Sequence, residues 1–229
     1  TGKGVGPAFM DKVGRMGIRI AELADPEGFD ERLRFLLDYK NQILTRLYDL
    51  DPLRPDPIVE AYREHWSRLA PYVADTGRLC REALRNGDHV LLEGAQGALL
   101  DLDAGTYDYV TSSVPTSMAA GAAMGVGISL REIDRVVGVY KAYQTRVGNG
   151  PMPSELTDAI GDRLRDCGQE YGTTTGRPRR CGWFDAVAAR YTADLNGCQS
   201  ISLTRLDVLD TFESLKVCVA YAVGGRRTT

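Results

Sequence analysis

Histidine is nearly absent from this chain of 229 residues, with only His65 and His89 present. Neither stands beside a carboxylate or cysteine cluster, which argues against a histidine-built metal site and a Ser-His-Asp triad. The five cysteines (Cys80, Cys167, Cys181, Cys198, Cys218) are odd in number, widely spaced and without a C-x-x-C pair. That pattern excludes a disulfide framework and a structural zinc site, and the thiols are expected to be reduced and mostly in the core. Charge of one sign is also lacking: 28 Lys and Arg against 31 Asp and Glu leave a net charge of -3. No broad positive field exists to recruit nucleic acid or an anionic membrane, so neither is an expected partner, and anions must be held by local arginine clusters. No apolar run approaches the roughly 20 residues of a membrane span, and the opening TGKGVGPAF does not resemble a charged-then-apolar signal. A cytoplasmic setting is expected. What is present, 43% hydrophobic and 26% charged residues, is enough to bury a sizeable core.

The chain opens on a glycine-rich turn, Gly2-Lys3-Gly4-Val5-Gly6-Pro7, with no strand before it, and reads as entered in mid-fold. From Phe29 to Leu50, Leu33, Leu36, Leu37, Ile43, Leu44 and Leu47 recur near helical spacing, which predicts an amphipathic helix. Two further helices are predicted over Pro57 to Ala70 and Asp75 to Asn86, the second ended by Gly87. Together they suggest a helical insertion over about 28–87. The pattern then changes. His89 to Glu93 reads as a short buried strand running into the Gly94-Ala95-Gln96-Gly97 turn. Arg135 to Tyr143 and Ser200 to Leu206 read as further buried strands, with Trp183 to Leu195 the helix between. Alternation of this kind predicts an α/β fold in which helices cover a central, mainly parallel sheet.

Three groups of residues suit chemistry. Gly172-Thr173-Thr174-Thr175-Gly176-Arg177-Pro178-Arg179-Arg180 gathers three hydroxyls and three guanidiniums between glycines. Such a loop can hold a carboxylate or phosphate through bidentate and backbone hydrogen bonds; a solvated basic loop is the plain alternative. Thr204-Arg205-Leu206-Asp207 ends a predicted strand. A carboxylate there can accept both the N1–H and the exocyclic N–H of guanine, a pattern adenine does not offer, while the Arg205 stem covers the base; a turn or capping aspartate is the alternative. Glu93 to Gly97 presents the Gln96 amide on a tight turn, and Thr111-Ser112-Ser113 can hold a phosphate or cap the segment that follows.

Taken together, TGKGVGPAFMDKVGRMGIR, EGAQGALLDLDAGTYDYVTSS, KAYQTRVGNGPMPSEL, TTTGRPRRCGWFD and LTRLDVLD resemble the adenylosuccinate synthetase family, in that family's order and over essentially the whole chain. The resemblance implies a P-loop NTPase-like α/β domain, of which residues 1–229 form part. It implies a ligase that joins L-aspartate to inosine monophosphate (IMP) with GTP and Mg2+, phosphorylating the 6-oxygen of IMP and then displacing phosphate with the aspartate amine. By motif position, Thr1 and Thr111 resemble contacts to the IMP phosphate, and Gln96 the glutamine beside the reacting purine. Arg15 resembles an arginine that reaches the IMP of the other subunit of a homodimer. Thr173, Thr174, Thr175, Arg177 and Arg179 resemble the aspartate-binding set, with Arg177 also near IMP and Arg179 near GTP. Arg205 and Asp207 resemble the guanine-reading pair.

The sequence departs from the family's pattern at several points. The N-terminal glycine-rich loop, with its general base, phosphate-binding lysine and histidine acid, is absent, and the Mg2+ ligands are expected there. The C-terminal segment that completes the guanine pocket is absent too, so these 229 residues alone are expected to be inactive. Arg205 stands where lysine is usual, and Pro178 where some members carry arginine. Two alternatives remain open at this level: a non-catalytic nucleotide binder, and a related ligase acting on another purine nucleotide.

Overall fold

A computed structural model describes residues 4–116, 125–172 and 176–229. The chain divides into two compact units, residues 1–76 and 77–229.

In the first unit, helix α1 (Val5–Val13) starts immediately after Gly4, which sits in the left-handed region at φ 76°. The glycine-rich opening is therefore a helix start from Gly4 onward. Pro7 fits because the first turn of a helix needs no intrahelical N–H donor. Helix α2 (Pro26–Leu47) is begun by Asp25, whose carboxylate accepts the Gly28 N–H at 3.2 Å. It buries Phe29, Leu33, Leu36 and Leu37 along one stripe, as the spacing predicts. Helix α3 (Pro55–Leu69) returns against it, and Leu23, Phe29, Leu33, Leu37 and Val59 form the core of this unit. Asn41 fixes the turn between the two helices, accepting the Leu53 N–H at 2.8 Å and donating to its carbonyl at 2.9 Å. Helix α4 (Thr76–Arg85) runs from the boundary between the units. All three predicted helices exist, starting at Pro26, Pro55 and Thr76.

In the second unit, β1 (Val137–Lys141) pairs in parallel with β4 (Ser200–Thr204), Lys141 opposite Thr204. After Ala142 the chain continues as β2 (Tyr143–Arg146), antiparallel to β3 (Arg180–Asp185), and β3 pairs in parallel with β5 (Val217–Cys218). Two short strands, β6 (Tyr221–Val223) and β7 (Arg226–Thr228), form a separate antiparallel pair. Helices α5 (Ala159–Cys167) and α6 (Ala186–Asn196) accompany these strands. Ala142, Tyr143, Leu164, Cys181, Trp183, Val208 and Leu209 make the core, with Phe212 edge-on to Trp183 at 5.8 Å. This is an α/β arrangement. No described helix is long and apolar enough to cross a membrane.

Two sequence expectations are corrected. Residues 89–93 do not form a strand: the segment has no ladder partner among the described residues, and Leu91 is 91% exposed. An apolar run becomes a strand only where a neighbour takes its backbone groups. The helix expected from Trp183 begins instead at Ala186, because residues 183–185 belong to β3 and the Asp185 carboxylate caps the N–H groups of Val187 and Ala188 at 3.1 and 3.0 Å.

Candidate functional site

The centre of the second unit is a buried carboxylate, Glu170, with 3% side-chain exposure. Helix α5 ends at Cys167, and Gln169 takes a left-handed conformation (φ 50°) just before it. Three groups donate to it: Lys141 Nζ and Tyr143 Oη to Oε1, both at 2.7 Å, and Arg179 Nη1 to Oε2 at 2.8 Å. Burial alone would raise the pKa of Glu170, but the bonds from Lys141 and Tyr143, the Lys141 charge and Arg179 outweigh it and hold the carboxyl below its usual range. The same contacts reach Tyr143, whose hydroxyl is pushed up to about 12 by burial and then by its bond to Glu170. Arg205 joins the cluster by donating to the Gly168 carbonyl, beside the Tyr143 hydroxyl. Lys141 and Arg205 lie at or just past the carboxyl ends of the parallel strands β1 and β4, the place where open α/β sheets take their ligands.

The arginine run rises from this centre as a loop tied at its base. Gly172 N–H bonds the Arg177 carbonyl at 2.8 Å, Gly176 N–H (φ 63°) bonds Gly172, and Arg179 N–H bonds the Glu170 carbonyl at 2.9 Å. The three arginines do not surround one point. Arg177 is exposed on the loop and Arg179 is turned to Glu170. Arg180 is committed to structure, forking onto Glu155 and donating to the Gly148 and Gly150 carbonyls. Arg179 precedes β3 and is tied to Glu170 by backbone and side chain, whereas Arg180 opens β3 opposite Arg146, so the two diverge. Thr173, Thr174 and Thr175, and also Thr1, lie outside the described residues.

A second loop carries Gln96 and Thr111. Gln96 is exposed and left-handed at φ 64°, just before a 3-10 turn over Ala98–Leu100. The Thr111 N–H bonds the Leu100 carbonyl at 2.7 Å, and Leu102 N–H bonds the Ser113 carbonyl at 3.2 Å. Asp101, 1% exposed, holds the loop from inside. Its Oδ1 accepts the N–H groups of Asp103 and Ala104 at 2.9 and 3.0 Å, and its Oδ2 accepts the Thr116 N–H at 2.9 Å and the Thr116 hydroxyl. Arg146 supports it from outside, donating to Thr106 Oγ1, the Tyr109 carbonyl and the Asn149 carbonyl at 2.9 to 3.0 Å. Burial, then the nearby Arg180, depresses the Arg146 pKa.

Asp207 is exposed in the 3-10 turn Leu206–Leu209 that follows β4, while the next two residues, Val208 and Leu209, are buried. Arg205 precedes it in the left-handed region (φ 64°). In the first unit, Arg15 (φ 60°) follows the Gly14 cap of α1, exposed, with its carbonyl taking Arg32 Nη2 at 2.7 Å. Non-glycine residues in this region cost of order 1 kcal/mol each and gather at functional sites. Among the described residues they are Arg15, Asp49, Gln96, Gln169 and Arg205; three of these are sequence-nominated site residues and a fourth precedes Glu170.

Sequence reading missed Glu170, Lys141, Tyr143, Asp101 and Arg146. Asp101, Lys141, Tyr143 and Arg146 stand inside quoted motifs but without a nominated role, and Glu170 had no signal beyond flanking the Gly-Thr loop. No group of three or more His, Cys, Asp and Glu stands together among the described residues.

Strand-end cations around a buried acid, with a glycine-bounded basic loop beside them, define an α/β protein suited to binding anions. The family model for adenylosuccinate synthetase matches residues 1–229. The adenylosuccinate synthetase of Gloeobacter violaceus is 54% identical over 221 residues, covering 96% of this chain and 50% of that protein. That of Nostoc punctiforme is 52% identical over 228 residues, covering 100% and 51%. The structure of fully ligated adenylosuccinate synthetase from Plasmodium falciparum superposes with a TM-score of 0.90 at 38% identity, covering 99% of this chain and 53% of that one. The chain belongs to the adenylosuccinate synthetase family. It spans about half the length of the curated relatives it matches.

Proposed function

We propose that the protein containing this chain forms adenylosuccinate from IMP and L-aspartate with GTP, by way of 6-phosphoryl-IMP, in the synthesis of AMP, in the cytoplasm and as a homodimer. The observation that carries the reading is the turn after β4, which presents Arg205 and the exposed carboxylate of Asp207 at the carboxyl end of a parallel strand. Asp207 accepts the guanine N1–H and 2-amino N–H, and the Arg205 stem covers the base. Arg177 and Arg179, with Thr173, Thr174 and Thr175, hold the carboxylates of aspartate. Thr111 and Thr1 hold the IMP phosphate, and Gln96 orients the purine at its 6-position. Arg15 reaches IMP in the partner subunit. Residues 1–229 then form part of one such domain, with a helical insertion over about 28–87.

In the overall reaction the γ-phosphoryl group of GTP moves to O6 of IMP, releasing GDP. The aspartate nitrogen then bonds to C6 as the C6–O bond breaks, releasing phosphate. Mg2+ supplies charge neutralisation on the transferring phosphoryl group when bound.

The test is adenylosuccinate formation followed by absorbance, with full-length protein, IMP, aspartate, Mg2+ and either GTP or ATP. Turnover with GTP alone supports the reading, and Asp207→Asn is expected to raise KM for GTP by about 30- to 100-fold, the scale of one charge-assisted pair. Absence of turnover with either nucleotide refutes it in favour of a non-catalytic binder. Preference for dGMP over IMP in competition refutes the IMP assignment.

A further inference from the structure

The buried acid at the centre of the second unit joins two parts of the proposed site that the chain keeps far apart in sequence. From one side, Arg179 of the basic loop donates to Glu170 Oε2. From the other, Arg205 of the guanine turn donates to the Gly168 carbonyl, where the Tyr143 hydroxyl that donates to Glu170 Oε1 also lies close. Gly168 stands two residues before Glu170, and Lys141 from the end of β1 completes the set by donating to Glu170 Oε1. Lys141 and Arg179 thus meet on one carboxylate and Arg205 is held on the segment beside it, leaving cationic charge to spare for an incoming anion. A long arginine held at one end by a buried partner loses less rotamer freedom when its remaining donors meet a ligand.

We propose that Glu170 is a positioning residue for both nucleotide and amino acid. It presets Arg179 for the aspartate carboxylate and, through Tyr143, presets Arg205 for the guanine base, so that the two pockets share one support. The inference rests on the functional reading given above. It assigns Glu170 no contact with substrate.

The test uses full-length protein carrying Glu170→Gln, Glu170→Asp or Tyr143→Phe. Glu170→Gln is expected to raise KM for both aspartate and GTP by about tenfold, the lower end for losing a charged hydrogen-bond partner, with KM for IMP unmoved. Glu170→Asp keeps the charge and is expected to recover part of both. Tyr143→Phe cuts only the arm to Arg205, so KM for GTP rises while KM for aspartate holds. A purely structural role predicts a fall in kcat with all three KM values unchanged, and that result overturns the proposal. A rise confined to aspartate, or equal rises for all three substrates, overturns it as well.

Positioning is also read without turnover, from the arginine Nε–H resonances of Arg179 and Arg205. Both shift in Glu170→Gln if the support is shared; a stationary Arg205 signal overturns the proposal. An inactive unsubstituted protein would refute the ligase reading, and these resonances would still decide the role of Glu170.

Discussion

Replacing Asp101 by asparagine should cost about 2.5 kcal/mol at neutral pH, and the loss should shrink in acid. Burial alone would raise the pKa of this carboxyl; the bonds from the Thr116 hydroxyl and from the N–H groups of Ala104, Thr116 and Asp103 more than reverse it, taking it from 3.8 to about 2. A difference of about 2 pKa units at about 1.4 kcal/mol each gives the figure. The folded-state value lies below the unfolded one, so the contribution is complete above about pH 5 and is lost as pH falls through about 2. Urea unfolding of the unsubstituted protein and Asp101→Asn, at pH 7 and pH 3, measures it. The difference in unfolding free energy is expected to be about 2.5 kcal/mol at pH 7 and roughly half that at pH 3. Amide exchange at Asp103, Ala104 and Thr116 should quicken in the variant, since these N–H groups end on the carboxylate. An equal difference at both pH values would refute the reasoning, because a pH-independent loss is a packing effect and not the loss of a buried anion.

Leu164 is 0% exposed in the core under α5, and Leu164→Ala should cost about 3 kcal/mol in a denaturation midpoint measurement; a loss below about 1 kcal/mol would mean that the site collapses around the gap. Gly182→Ala should be comparably destabilising, because a Cβ there meets the carbonyl of Ser154, the acceptor of the Trp183 N–H; normal thermal stability of that variant would show that the 154–156 segment can move aside.

Helix positions in the first unit were legible because the apolar spacing is long and regular, and α2 buries the leucines at 33, 36 and 37 that the pattern picks out. The strands expected over Arg135–Tyr143 and Ser200–Leu206 were legible as apolar runs; Val137–Lys141 and Ser200–Thr204 pair as β1 and β4, while Tyr143 begins β2 and Leu206 opens the turn after β4. The same signal failed at 89–93, where the apolar run finds no partner among the described residues, and at Trp183, where apolar residues continue from β3 across the Asp185 cap into α6. Short runs do not distinguish strand from helix; hydrogen-bond partners do.

The loops proposed to touch ligand stand out in sequence because their chemistry is concentrated: glycine, threonine and arginine within a few residues. The family, the nominated residues from Gln96 to Asp207 and the α/β class were all present at that level. The support beneath them was not. Glu170 gains its role from Lys141, Tyr143 and Arg179, residues 29, 27 and 9 positions away. Arg180 leaves the anion-binding set because the strand turns it toward Glu155. A charge in a sequence has a type and a position along the chain; whether it binds a ligand or holds the fold is settled by the partner that burial places against it.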